Sequence, residues 1–342
     1  MDYDNINMTD ANVTEYDDGG YSPYAAIHFT IASAFAIALS LFGIVGNVIV
    51  FWFLSFKVTK NKYTVYIINL AMADFIFLIF TALNMMLYIN SLVGPNQQFT
   101  GINKLTLFIE IFYDGSQYAG MFFLTAVSVE RCLSVIFPMW YHCHRPKKLS
   151  PTVCILLWIT ACTESLIENL ACTSVDFQAQ STACTGIQLM TFIIGIGICL
   201  PLMVISSLVL LVAIKRTFQN HYPPKLYIII IIAVIIFILS VVPFNFLWFL
   251  MYFQLLGLDV NHVSLFYATV FSTALNGTVD PYIYFLVGRQ WKQRSHHSIQ
   301  DVLERAFKDD EKLQDNGIPN SNKTNSSSCQ THVSDEEKVV PS

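Results

Sequence analysis

The sequence predicts an all-α protein, a seven-transmembrane helix bundle with a short amphipathic cytoplasmic helix after the last span. Three observations carry that reading. The 342 residues are 54% hydrophobic and only 13% charged, against roughly 25% charged and 45 to 50% apolar in soluble domains. Apolar runs recur at 27–56, 64–92, 105–137, 152–172, 185–214, 226–256 and 263–287, and each is long enough to cross a bilayer, which takes about 20 residues. Basic residues gather in alternate connections, which orients the bundle.

Lys and Arg accumulate in short cytoplasmic loops. Lys57, Lys60 and Lys62 follow span one; Arg145, Lys147 and Lys148 precede span four; Lys215, Arg216 and Lys225 join spans five and six; Arg289, Lys292 and Arg294 follow span seven. The opposite side offers Lys104. The expected organisation is an extracellular tail over 1–24, a membrane domain over 25–294 and a cytosolic tail over 295–342, in a multi-pass protein of the plasma membrane. No basic n-region or apolar h-region opens the chain, so no cleavable signal peptide is expected and span one serves as the insertion signal. The net charge of -5 comes largely from the two acidic tails. With no basic aromatic platform, no nucleic-acid partner is expected.

Residues 1–24 carry six acids, no Lys or Arg, and the sequons Asn7-Met8-Thr9 and Asn12-Val13-Thr14, so glycans are expected on Asn7 and Asn12. Asn276-Gly277-Thr278 lies inside span seven, and the sequons at Asn322 and Asn325 lie in the cytosolic tail; these should stay unmodified.

Span one contains Gly46-Asn47-Val48-Ile49-Val50, and span two runs Asn69-Leu70-Ala71-Met72-Ala73-Asp74. An ionisable group in hydrocarbon is costly and is a functional candidate by default. Asp74 can partner Asn47, Asn276 and Asp280 once the helices bundle. Two outcomes stay open: a hydrogen-bonded knot that fixes packing, or an allosteric sodium site at Asp74, Asn276 and Asp280, since a buried carboxylate needs partners either way. Ser116 and Gly120 of span three line the same region, and Gly120 has no hydroxyl to offer. Apart from sodium, no cofactor is expected.

Span three, from Glu110 to the Pro146 that follows it, organises the chain. Asp114 and Arg131 are 17 positions apart, roughly 25 Å along a helix, so one end can sense and the other can signal. Glu110 and Asp114 are four apart on span three, as are Glu164 and Glu168 on span four, and that spacing stacks side chains on one face. Both pairs lie in the outer half with only Lys104 near. An uncompensated cluster in low dielectric takes up protons or attracts a cation.

Aromatics complete this outer site. Tyr113 stands between the two acids of span three. Phe244, Phe246, Trp248, Phe249 and Tyr252 crowd span six, with Phe266 and Tyr267 on span seven. A cation over such a ring gains roughly 0.5 to 2 kcal/mol; about half of these rings are assigned to lipid or to an interfacial belt.

In the inner half, an ion pair between Glu130 and Arg131 is expected to hold span three at rest. The adjoining Pro138, Trp140 and Tyr141 supply anchors of the kind enriched at interfaces. The link from Lys215 to Lys225 is too short to hold a catalytic domain. Beyond Gly288, Arg289 to Phe307 reads as a basic, amphipathic helix on the inner-leaflet lipid. The tail that follows carries Ser321, Thr324, Ser326, Ser327, Ser328, Thr331 and Ser334, which phosphorylation would turn acidic.

The motifs in order, GNxxV in span one, NLAxAD in span two, Glu130-Arg131-Cys132 closing span three, Trp158 in span four, Pro243 in span six and Asp280-Pro281-Tyr282-Ile283-Tyr284 in span seven, resemble the rhodopsin-like G-protein-coupled receptors. More narrowly, ERCLSVIFPMWYHCHRP at 130–146, YFLVG at 284–288 and LERAF at 303–307 resemble the Mas-related receptors. The resemblance covers about 45–290. It implies a receptor, not an enzyme, that activates a heterotrimeric G protein, of Gq type in preference to Gi type, through Glu130, Arg131, Pro138 and Tyr284. A receptor kinase and an arrestin are the partners implied for the tail.

The Mas-related pattern also implies a disulfide between Cys172 and Cys184. Glu168, four residues before Cys172, stands where relatives that bind basic ligands carry an acid. A second acid, expected four residues after the span-five Cys, is Gln188 here. Asp114 or Glu110 can substitute, so the ligand set is Glu168, Asp114, Glu110 and Glu164 with Tyr113, Trp248, Phe244 and Tyr267. A basic peptide or cationic small amphiphile fits better than a monoamine, because the Asp of amine receptors is Tyr113 here. Val241 replaces the Trp found two residues before the span-six Pro in most of the wider class, a departure shared by the Mas-related group.

Rival classes fit less well. An aspartyl protease needs two carboxylates in one site, yet Asp114 is outer and Asp280 inner. The GxSxG signature of a serine protease is missing, a transporter would show inverted repeats or paired broken spans, and span seven has no Lys for a retinal Schiff base.

Overall fold

In lipid every backbone polar group must be satisfied within its own segment, and each apolar run accordingly forms helix. The computed structural model describes residues 23–57, 63–93, 102–146, 148–172, 180–217, 225–255 and 262–288; Asn7, Asn12 and the expected cytoplasmic helix over Arg289 to Phe307 lie outside the described residues. Spans one to three are α1 (Pro23–Phe56), α2 (Thr64–Val93) and α3 (Ile102–Ile136). A short α4 (Pro138–Cys143) follows, then span four, α5 (Leu149–Ala171). Span five is α6 (Thr182–Phe192), a π-helical stretch Ile193–Cys199 and α7 (Leu200–Thr217). Span six is α8 (Lys225–Ser240) and α9 (Val242–Tyr252), and span seven is α10 (His262–Gly288).

Six of these spans are long and apolar enough to cross a membrane on composition among the described residues. The exception is α10, whose 27 residues include Asn276, Asp280 and an internal Pro281. These polar groups point into the bundle, where Asp280 is 2% exposed.

Small residues set the closest helix approaches. A methyl built on Gly46 would stand 2.8 Å from Pro281 Cγ, and one on Gly43 would strike Thr278 Oγ1 and Leu78 Cδ1. Between them Asn47 donates to the backbone oxygens of Gly43 at 3.1 Å and of Gly277 at 2.9 Å. The expectation that Asn47 serves Asp74 is thereby corrected: its amide is spent on the α1–α10 crossing. Trp158 Nε1 donates to Asn69 Oδ1 at 3.0 Å and meets Phe123 edge-on at 5.5 Å, tying α5 to α2 and α3. Span six breaks at Val241, because Pro243 at the start of α9 cannot continue the α8 ladder. With α3 packed on α2, α5, α7 and α8, the buried apolar core fills the middle and inner bundle and leaves a polar hollow above.

Candidate functional site

The hollow is a cavity of about 1030 Å³ that runs from Thr106 and Cys172 at its outer end to Asp74 and Asp280 at depth. Five carboxylates line it, Glu110, Asp114 and Glu168 in the outer half and Asp74 and Asp280 below, and no Lys or Arg is among the lining residues. The opposite wall is aromatic and apolar, with Trp248, Phe249, Tyr252, Phe253 and Phe192. Phe249 stacks on Phe192 at 3.8 Å and lies 4.6 Å from Phe253.

Two of the outer acids, Glu168 and Asp114, are held by their neighbours. Glu168 on α5 accepts from the Tyr118 hydroxyl of α3 through Oε2 and from Gln188 Nε2 of α6 at 3.0 Å through Oε1. Asp114 Oδ2 accepts from Asn169 Nδ2 at 2.9 Å, and that amide also donates to the Ser165 carbonyl at 3.0 Å. Ser165 in turn donates to Ile111 O at 2.7 Å, and Gly115 faces it closely enough for the two helices to touch. Asp114 and Glu168 are therefore pre-oriented by one interhelical seam, and a ligand would not have to order them.

Above them, a disulfide joins Cys172 to Cys184 with Cα atoms 4.8 Å apart, as the family pattern implied. It clamps the end of α5 to the first turn of α6, which Ser181 caps by accepting from Cys184 N at 3.4 Å. Gln180 Nε2 donates to Tyr252 O at 2.6 Å, and Thr185 lies 3.1 Å from the Tyr252 hydroxyl. These bonds draw span five onto span six at the mouth.

Not every expected ligand residue reaches the cavity. Glu110, Tyr113, Asp114, Glu168 and Trp248 do. Glu164 is buried a turn deeper, 4% exposed, and is not among the lining residues; neither are Phe244 and Tyr267. Tyr267 stacks on Phe29 at 5.1 Å and accepts from Ser33 at 3.1 Å, so it fastens α10 to α1. Phe246 is half-exposed, with its ring 6.1 Å from that of Phe192. Tyr118 and Asn169 were missed as site residues, and Gln188, noted in the sequence only as the position that lacks a second acid, is a partner of Glu168. Tyr118 was open to detection, since it follows Asp114 by four residues on the same helix face.

At the deep end Asp74, Asp280 and Asn276 line the same cavity. Asp74 Oδ2, Asp280 Oδ1 and Asn276 Oδ1 are buried without a hydrogen-bond partner among the described residues. Two carboxylates and an amide with orphaned oxygens have the donor chemistry of a hard-cation site, and the residues fit a sodium ion.

At the cytosolic end the expected Glu130–Arg131 ion pair is not what forms. Glu130 is instead paired with Arg145, which also donates to Ser150 Oγ at 2.6 Å, and it accepts from the Tyr141 hydroxyl at 2.9 Å. Burial pushes the Tyr141 phenol well above its ordinary pKa, which keeps it a donor. Arg131 is 1% exposed and lies over the Tyr63 ring at 3.1 Å, with the Tyr227 ring at 5.8 Å. Tyr284 is buried in the same apolar core as Tyr63 and Tyr227. Pro138 and its neighbours Met139 and Trp140 are exposed, Met139 by 77%.

Similarity to known proteins agrees with this geometry. Residues 46–284 match the family described as 7 transmembrane receptor (rhodopsin family). The chain is 35% identical to the human Proto-oncogene Mas over 289 residues, 83% of this chain and 84% of that one. It is 35% identical to the human Mas-related G-protein coupled receptor member X1 over 279 residues, 82% and 84% of the two chains. With the Mas-related G-protein coupled receptor member D of Macaca fascicularis the identity is 31% over 291 residues, 84% and 88% of the two.

Proposed function

The chain belongs to the rhodopsin family of seven-transmembrane receptors and, within it, to the Mas and Mas-related group; from that premise we propose a plasma-membrane receptor, N-terminus outside, for a basic peptide or cationic amphiphile. Membership makes it a multi-pass membrane protein and a receptor, a class distinct from enzymes, with a ligand and a G protein as partners. The ligand's charge enters against Glu168, Asp114 and Glu110, and its apolar part lies on the Phe192, Trp248 and Phe249 wall. The carrying observation is a cavity lined by five carboxylates and no Lys or Arg.

Coupling is proposed to be of Gq type, with the exposed Pro138, Met139 and Trp140 as the docking surface and Arg131 as the group released on opening. Receptor kinase and arrestin are proposed partners of the phosphorylated tail.

Calcium release in cells expressing the chain, screened with basic peptides and cationic amphiphiles, tests this reading. A charge-assisted hydrogen bond is worth about 1.5 to 3 kcal/mol, so Glu168→Gln and Asp114→Asn should each lower potency about tenfold to a hundredfold. Wild-type potency in both variants at normal surface expression overturns the cationic ligand. A response through lowered cyclic AMP in place of calcium overturns the Gq assignment.

A further inference from the structure

We infer that the cavity is a two-ended site for an elongated dication, one ammonium held at Glu168 and Asp114 and the other at Asp74 and Asp280. This deepens the cationic-ligand reading and rests on it.

Both carboxylate groups line one continuous cavity. Val241, Phe237 and Gly120 line the stretch between them, and Gly120 has no side chain to fill it. A methyl built on Gly120 would stand 3.5 Å from Asp74 Oδ1, and one on Gly277 would stand 3.4 Å from it. Space therefore leads down to this carboxylate.

The two ends differ in how their oxygens are served. In the outer half Glu168 and Asp114 already accept from Tyr118, Gln188 and Asn169. At depth Asp74 Oδ2, Asp280 Oδ1 and Asn276 Oδ1 accept from nothing among the described residues, though Asp74 and Asp280 are only 7% and 2% exposed. Buried oxygens without donors are costly. An ammonium carries three donors and no acceptor, which is what three orphaned oxygens lack.

Span three supplies the ruler. Asp114 and Gly120 are six residues apart, about 9 Å along the helix. Gly120 marks the level of Asp74, so a ligand bridging the two ends needs nitrogens roughly 9 to 12 Å apart. The wall between is methylene-compatible, with Val241 and Phe237. A linear aliphatic diammonium of the polyamine type meets all three requirements.

The test uses the full chain in lipid nanodiscs and isothermal calorimetry with linear diamines from butane-diamine to dodecane-diamine, each beside the monoamine of equal length. Affinity should peak near octane-diamine, at least tenfold tighter than octylamine. Asp280→Asn should erase that advantage, whereas Glu168→Gln combined with Asp114→Asn should weaken octylamine and octane-diamine alike. If Asp280→Asn does not fold, the length series in the wild type decides by itself. A diamine series that only tracks the monoamines in its rise with length, with no optimum, overturns the two-ended site and leaves the outer site standing. If neither monoamines nor diamines bind, the two-ended site is overturned, while the cationic-ligand reading is decided by the potency of basic peptides on Glu168→Gln and Asp114→Asn.

Discussion

The Arg131 guanidinium lies 3.1 Å from the centroid of the Tyr63 ring, buried where the cytosolic ends of α2, α3 and α8 meet. With Tyr227 at 5.8 Å on the other side, the cation bridges span two to span six through ring faces. An interaction of this kind is worth roughly 0.5 to 2 kcal/mol, so Tyr63→Leu should shift the resting equilibrium toward the open form by about 2-fold to 30-fold. Basal G-protein activation, normalised to surface expression, reads the shift. Unchanged basal signalling would show that the stack does not hold the closed state.

The Cys172–Cys184 bond closes a loop of sequence separation 12, and loop closure of that length stabilises by about 3 kcal/mol in the chain-entropy view. Replacing either Cys by Ser should lower surface expression or agonist potency, because the α5 to α6 clamp at the cavity mouth is lost. The double replacement should be no worse than either single one. Additive losses would argue that the two act separately.

Gly43 sits at a three-way crossing of α1, α2 and α10, where an added methyl would come within 3.0 Å of Thr278 Cα as well as meeting two side chains. A backbone atom cannot rotate away, and overpacking of this kind costs about 1 to 3 kcal/mol. Gly43→Ala should therefore lower the thermal stability of the purified receptor. At Gly186, where a methyl meets nothing within 4 Å, the same change should be neutral, and equal behaviour at the two positions would refute the packing account.

Sodium is proposed to occupy Asp74, Asn276 and Asp280 when no ligand ammonium is there; competing for the same oxygens, it would make agonist binding ion-dependent. Replacing Na⁺ by a bulky organic cation at constant ionic strength should change agonist affinity in wild-type membranes, and Asp280→Asn should abolish the difference. Indifference of the wild type to the exchange would mark the three residues as a packing knot.

The spans, their order and the location of the acids could be read from the sequence, because each rests on local chemistry. A run of apolar residues must become a helix in lipid whatever its neighbours are, and Glu110 with Asp114, or Glu164 with Glu168, share a face by helical period alone. The Cys172–Cys184 pairing and the deep position of Asp74 and Asp280 were legible through motif resemblance. Helix rotation was not. It turned Phe244 and Tyr267 off the cavity and brought Tyr118 and Gln188 to the Glu168 carboxylate, whereas the deeper place of Glu164, one turn from Glu168, followed from helical spacing. The partner of Glu130 was likewise decided in three dimensions: Arg145, 15 residues away, returns over the turn after α4, while adjacent Arg131 leaves in another direction toward Tyr63. Adjacent residues on a helix point about 100° apart, so sequence proximity sets what is near a side chain's root, and only packing sets what is near its end.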